Sequence, residues 1–153
     1  MKAAVWYGQK DVRVEDREPK AIKDNEVQVK VSWAGICGTD LHEYLEGPIF
    51  ISTDQPDPLL GQTAPVTLGH EFSGVVENVG KDVSRFKKGD RVVVNPTVSK
   101  REKPENVDLY DGYSFIGLGS DGAFAEFTNA PETNVYHLPD NVSAREEIGR
   151  AHV

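Results

Sequence analysis

A single cysteine, Cys37, sets the first limit on what this chain can be. One thiol excludes an intrachain disulfide and a four-cysteine metal site, and it fits a reducing compartment. Long apolar runs are missing too, since no stretch approaches the roughly 18 apolar residues that a membrane span needs. The opening run Met1-Lys2-Ala3-Ala4-Val5-Trp6-Tyr7 is interrupted by Gly8-Gln9-Lys10-Asp11, too soon for a signal peptide. A cytoplasmic chain with no membrane partner is therefore expected. Positive charge is also scarce. Against 25 Asp and Glu stand 17 Lys and Arg, a net charge of −8, whereas a phosphate-binding surface needs clustered cations. The one basic cluster, Lys100-Arg101-Lys103, is interleaved with Glu102 and Glu105 and reads as a solvated loop. No nucleic-acid partner is expected.

What the chain does have is strand periodicity. Its 153 residues and 38% hydrophobic content suffice for one domain with a sizeable core. Ala3–Tyr7 and Val12–Val14 read as a pair joined by a tight turn. Glu26–Trp33 alternates polar and apolar, which puts Val27, Val29, Val31 and Trp33 on one face. Further strands are predicted at 74–79, 91–95, 123–128 and 135–138, separated by turn signals such as Lys88-Gly89-Asp90 and Ser120-Asp121-Gly122. Many short strands at such spacing predict a barrel or sandwich. One short helix is predicted after Gly38, with Thr39 or Asp40 as N-cap and Leu41–Leu45 as its body. Two long excursions, 47–67 and 96–119, are of a length that is usually functional or disordered.

Two segments carry the chemistry. Gly35-Ile36-Cys37-Gly38-Thr39-Asp40-Leu41-His42 offers a thiol, a hydroxyl, a carboxylate and an imidazole. Leu68-Gly69-His70-Glu71-Phe72-Ser73-Gly74 adds a second imidazole beside a carboxylate. Thiolate, imidazole and carboxylate together suit zinc. Taken singly, each has an ordinary structural reading. A lone cysteine is usually a small buried hydrophobe, Thr39 and Asp40 are normal helix caps, and His42 is a surface histidine. Tyr44, Phe50 and Phe115 could line a pocket or simply pack.

Taken together, the two segments resemble the zinc-dependent medium-chain alcohol dehydrogenases, closest to their butanediol, sorbitol and threonine dehydrogenase branch. The resemblance continues through Lys88-Gly89-Asp90-Arg91-Val92 and Leu138-Pro139-Asp140-Asn141-Val142-Ser143, and so covers nearly the whole chain. The excursion at Gly47-Pro48-Ile49-Phe50 and the segment Gly112–Gly117 favour the butanediol type. The resemblance implies a mainly β, GroES-like, partly open barrel with one short helix and long loops. It implies Cys37 and His70 as direct ligands of a catalytic zinc, with Glu71 a carboxylate beside the metal. Asp40 would hold His70 from behind, while Thr39 and His42 would relay the substrate proton. The parent would be an NAD(H)-dependent, homo-oligomeric enzyme interconverting a secondary alcohol and ketone, 2,3-butanediol and acetoin. The alternatives are sorbitol or L-threonine oxidation, a zinc-free quinone reductase, or a non-catalytic GroES-like module. The last two have no use for Cys37 and His70 at these spacings.

The chain departs from the family in two places. Many members hold a structural zinc with four close cysteines after the Gly-Asp-Arg-Val-Val strand. Here 95–104 contain none, so one zinc and no structural zinc is expected. The family's third zinc ligand and its glycine-rich dinucleotide fingerprint are not found after Ser143. The domain is therefore read as 1–147 of a truncated, inactive chain. Residues 148–153, Ile-Gly-Arg-Ala-His-Val, equal the translation of a common sequencing-adapter stretch and are read as an artefact tail. The other reading is that these six are genuine. On the artefact reading they are expected to lie exposed, with His152 away from Cys37 and His70. An uncovered apolar face is also expected beside that pair.

Overall fold

The computed structural model describes residues 1–99 and 112–148. The mainly β expectation holds. Among the described residues three antiparallel sheets account for the strands, and the largest curls into a half-barrel. In the three-stranded sheet, β1 (Lys2–Gly8) lies between β2 (Asp11–Asp16) and β4 (Val66–Thr67). In the five-stranded sheet the order is β10 (Val135–His137), β6 (Arg91–Val94), β5 (Glu71–Val79), β3 (Glu26–Gly35) and β9 (Phe127–Pro131). A two-stranded ribbon pairs β7 (Thr97–Ser99) with β8 (Tyr113–Phe115), and among the described residues the single α-helix, α1, spans Gly38–Glu46, with a 3-10 turn at Glu132–Asn134. Among the described residues no helix is long and apolar enough to cross a membrane.

The alternating valines of β3, β5 and β6 make the main core. Val27, Val29, Val76, Val92 and Val94 are fully buried with Phe72 and Val135 beside them, each side chain contributing on the order of 1.5–3 kcal/mol. A second cluster gathers Trp6, Ile51, Val66, Leu68 and Leu118 where β1 and β4 meet the two excursions. The run from Gly122 to Phe124 ties the sheets together, because Gly122 and Phe124 donate to Thr67 and Leu68 while Ala4 donates to Phe124.

Four sequence readings need adjusting. Trp33 does not share the valines' face. A bulge between Val31 and Trp33 breaks the period of two, and the indole is about half exposed beneath the Arg145 guanidinium. The strand predicted at 123–128 begins only at Phe127 and runs on to Pro131. The helix is capped by Cys37, not by Thr39 or Asp40. The excursions are not structureless, since β4, β7 and β8 lie within them. The basic cluster at Lys100-Arg101-Lys103 lies outside the described residues, and so do 149–153 with His152. Ile148 itself is half-buried, its Cγ2 lying against Gly35.

Candidate metal centre

Antiparallel pairing of β3 with β5 builds the centre. Gly35 is opposite Glu71 and Ala34 opposite Phe72, so the chain leaving β3 carries Cys37 past the entry to β5, where His70 sits. The ligand atoms of Cys37, His70 and Glu71 all lie within 4.8 Å of one another. They form the one such grouping of three found among the described residues. The two segments singled out in the sequence are thus brought to one point.

Local structure fixes each side chain. Cys37 is extended (φ −85°, ψ 156°) and ends β3's run by capping α1. Its N–H donates to Asp40 Oδ2 at 3.0 Å, which is the reciprocal half of a capping box. The same carboxylate turns its other oxygen, Oδ1, to within 3.4 Å of His70 Nδ1. Both side chains are almost wholly buried. Asp40 therefore joins the helix start to the histidine from its Nδ1 side, through an ion-pair contact that lacks hydrogen-bond geometry, and Nε2 is the ring nitrogen that would take a metal. Before His70 comes Gly69, at φ +97°, where a Cβ would strike the Phe124 ring at 2.6 Å and its N at 2.7 Å. Only glycine allows this approach.

Charge follows from the geometry. Burial alone would push His70 toward the neutral form. The Asp40 carboxylate and the Cys37 sulfur beside it outweigh that, and the imidazole is pushed up to about 9 in the metal-free chain. Any metal taking this nitrogen must displace a proton. The donor set fits zinc. A thiol sulfur, an imidazole and a carboxylate converge in a sheltered place, and a second carboxylate orients the imidazole.

The remaining candidates are also placed. Thr39 Oγ1 lies 3.7 Å from Cys37 Sγ, at the edge of the cluster. His42 is exposed and stands three residues further along α1, on the same helical face as Thr39. Phe115 packs 6.5 Å from the His70 ring, and Phe50 meets Phe115 edge-on at 6.4 Å. Tyr44 is more than a third exposed and joins no such contact among the described residues. Trp33, Ile36 and Leu41, which flank Cys37 in the chain, are 49%, 80% and 52% exposed. Two buried carboxylates, Glu43 and Asp57, were not signalled by the sequence. Each looks there like an ordinary charged surface residue.

Residues 23–140 match the alcohol dehydrogenase GroES-like domain, and the chain belongs to that family. It is 49% identical over 144 residues to the (R,R)-butanediol dehydrogenase of Bacillus subtilis (strain 168), covering 94% of this chain and 42% of that protein. The crystal structure of 2R,3R-butanediol dehydrogenase from Bacillus subtilis matches with a TM-score of 0.90 at 46% identity. That match covers 95% of this chain and 42% of the other. A Sinorhizobium meliloti 1021 structure, described as a zinc-binding dehydrogenase bound to NADP, matches with a TM-score of 0.77 at 30% identity. It covers 94% of this chain and 40% of that one. The chain spans less than half the length of these relatives.

Proposed function

We propose that this chain is the metal-holding part of a zinc-dependent secondary alcohol dehydrogenase that interconverts 2,3-butanediol and acetoin with NAD(H). The observation that carries the reading is the convergence of Cys37, His70 and Glu71 within 4.8 Å, with Asp40 behind the histidine. The 49% identity to a butanediol dehydrogenase supports the substrate class.

Cys37 Sγ, His70 Nε2 and the Glu71 carboxylate would hold one zinc, Glu71 as a ligand or as its neighbour. Bound there, zinc supplies Lewis-acid polarisation of the substrate oxygen. Asp40 keeps the proton on His70 Nδ1, so that Nε2 is the nitrogen that would face the zinc. Thr39 Oγ1 would accept the proton of the alcohol and His42 would pass it to solvent; a nicotinamide cofactor, when bound, would supply the hydride acceptor. Phe50 and Phe115 form an apolar wall beside His70, which suits the methyl groups of a small diol. The exposed Trp33, Ile36 and Leu41 would be covered by the remainder of a parent of the relatives' length, which would also bring the cofactor site. The parent is read as a cytoplasmic homo-oligomer acting on a small molecule.

The test is elemental analysis of the natural-length protein together with steady-state kinetics on 2,3-butanediol, acetoin, sorbitol and L-threonine. One zinc per chain and the highest kcat/KM for the diol pair are expected. A protein without zinc, or one that prefers sorbitol or threonine, would overturn the reading.

A further inference from the structure

Between the helix that carries Thr39 and His42 and the loop that carries Phe50 lies a carboxylate that the scheme above does not use. Glu43 is fully buried. Its Oε1 accepts from the N–H groups of Ile49 (3.2 Å), Phe50 and Ile51 (3.1 Å), and Oε2 accepts from Ile49 at 3.1 Å. Three successive backbone donors therefore converge on one side chain. Its own carbonyl oxygen accepts from the Gly47 N–H and from Trp6 Nε1, both at 3.0 Å. The carboxylate folds so closely over the helix end that a Cβ on Gly47 would come within 2.5 Å of Oε2. A charge taken wholly out of water is costly unless strongly hydrogen-bonded, and charge-assisted bonds are about twice as strong as neutral ones. Something other than ordinary packing is being held here.

What it holds is the loop's direction. Ile51 enters the cluster of Trp6, Leu68 and Leu118, against which Phe115 also packs. Phe50, the middle residue of the three, is thereby aimed at Phe115, and Phe115 lies beside His70. We infer that Glu43 is a positioning residue, fixing backbone 49–51 so that Phe50 closes the aromatic wall and sets the size of the substrate pocket. This deepens the reading above and rests on it. One side chain on α1 thus couples the element bearing the proton relay to the wall that selects the substrate.

The test compares E43A, E43Q and F50A in the natural-length holoenzyme. Three readouts are taken, namely zinc content, amide hydrogen exchange of the peptide covering 47–52, and KM and kcat for 2,3-butanediol and the bulkier 1-phenylethanol. E43A removes an acceptor shared by three amides, so their exchange should speed by about 10-fold or more while zinc stays at the wild-type level. KM for the diol should rise about 10-fold with kcat changed far less, and preference for the diol over 1-phenylethanol should fall. E43Q keeps an acceptor oxygen in place and should stay within about 3-fold of wild type on exchange and KM. F50A should lose selectivity as E43A does, yet leave the exchange of Ile51 slow.

Unchanged exchange in E43A would overturn the proposal. So would faster exchange with the wild-type selectivity, or E43Q behaving as E43A. If E43A does not fold, E43Q and F50A still decide, because the proposal requires the first to be near wild type and the second to lose selectivity. A wild-type protein without zinc would instead count against the functional reading, and the exchange measurement does not depend on it. If another alcohol proves the better substrate, it replaces the diol in the KM comparison.

Discussion

Replacing Ser114 by alanine should loosen both excursions at once, although Ser114 lies far from the cluster in the chain. Its hydroxyl donates to Asp57 Oδ2 at 2.7 Å, and both side chains are buried. Asp57 Oδ1 accepts from Leu59 N–H at 2.9 Å and Leu60 N–H at 2.7 Å. One carboxylate therefore closes a turn in the first excursion and fastens it to β8 in the second. A hydrogen bond to a charged group contributes about 1.5–3 kcal/mol, and S114A should lose an amount in that range. D57A also frees two amides, but Leu59 and Leu60 are half-exposed and water can serve them, so about 2–4 kcal/mol is expected in all. Because the pair shares one bond, the double variant should fall short of the sum by about 1.5–2 kcal/mol. Urea unfolding of the four proteins, followed by circular dichroism with m held common, measures this coupling. Strict additivity, or a loss in S114A below about 0.5 kcal/mol, would refute the clasp.

Other outcomes follow from the centre. In a chain of the relatives' length C37S should take zinc from one per chain to none by elemental analysis, with two tightly held ions in the wild type counting against a single site. T39V should lower turnover by about 10²–10⁴-fold while zinc content stays unchanged, and H42Q should act mainly on the pH profile. Gly69→Ala combines a strained backbone (φ +97°) with the Phe124 clash, so about 2–5 kcal/mol of stability should be lost in thermal or urea unfolding. The raised pKa of His70 has a definite sign. Stabilisation by the imidazolium–Asp40 pair is complete below the ordinary value of 6.5 and disappears as pH rises through about 9. The melting temperature of the chelator-treated chain should therefore decline over that window, and D40N should flatten the decline.

Much of this was legible in the sequence because strands with one buried face announce themselves. The valines of β3 alternate with polar residues, β5 and β6 are rich in β-branched valine, and the segments at Cys37 and His70 name their own chemistry. What was hidden depends on non-local contacts. Trp33 follows the alternation in the sequence, but Ser32 is the extra residue of a bulge that only the partner strand reveals. Cysteine is not among the usual capping residues, so Cys37 at the N-cap gave way to Thr39 and Asp40 as the expected caps. Glu43 and Asp57 look like solvated charges because their partners are backbone amides and, for Asp57, also the distant Ser114 hydroxyl, none of which marks the residue pattern. The β7–β8 ribbon is too short to show a period.

The pairing of β3 with β5 has a consequence for how the centre comes into being. Cys37 and His70 are separated by a long excursion and meet only when two strands have zipped to their last rung, Gly35 opposite Glu71. Such contacts form late, because a loop of that length must close before they repay its entropy. A slip of one residue along this ladder would turn every side chain of β3 to the other face and carry the thiol away from the imidazole. If the centre binds zinc as proposed, metal capture would act as a checkpoint on strand alignment. A misaligned barrel would turn Val27 and Val29 out of the core as well as separate Cys37, His70 and Glu71, and on the proposed reading only the correctly registered chain would gain the stability that metal binding confers.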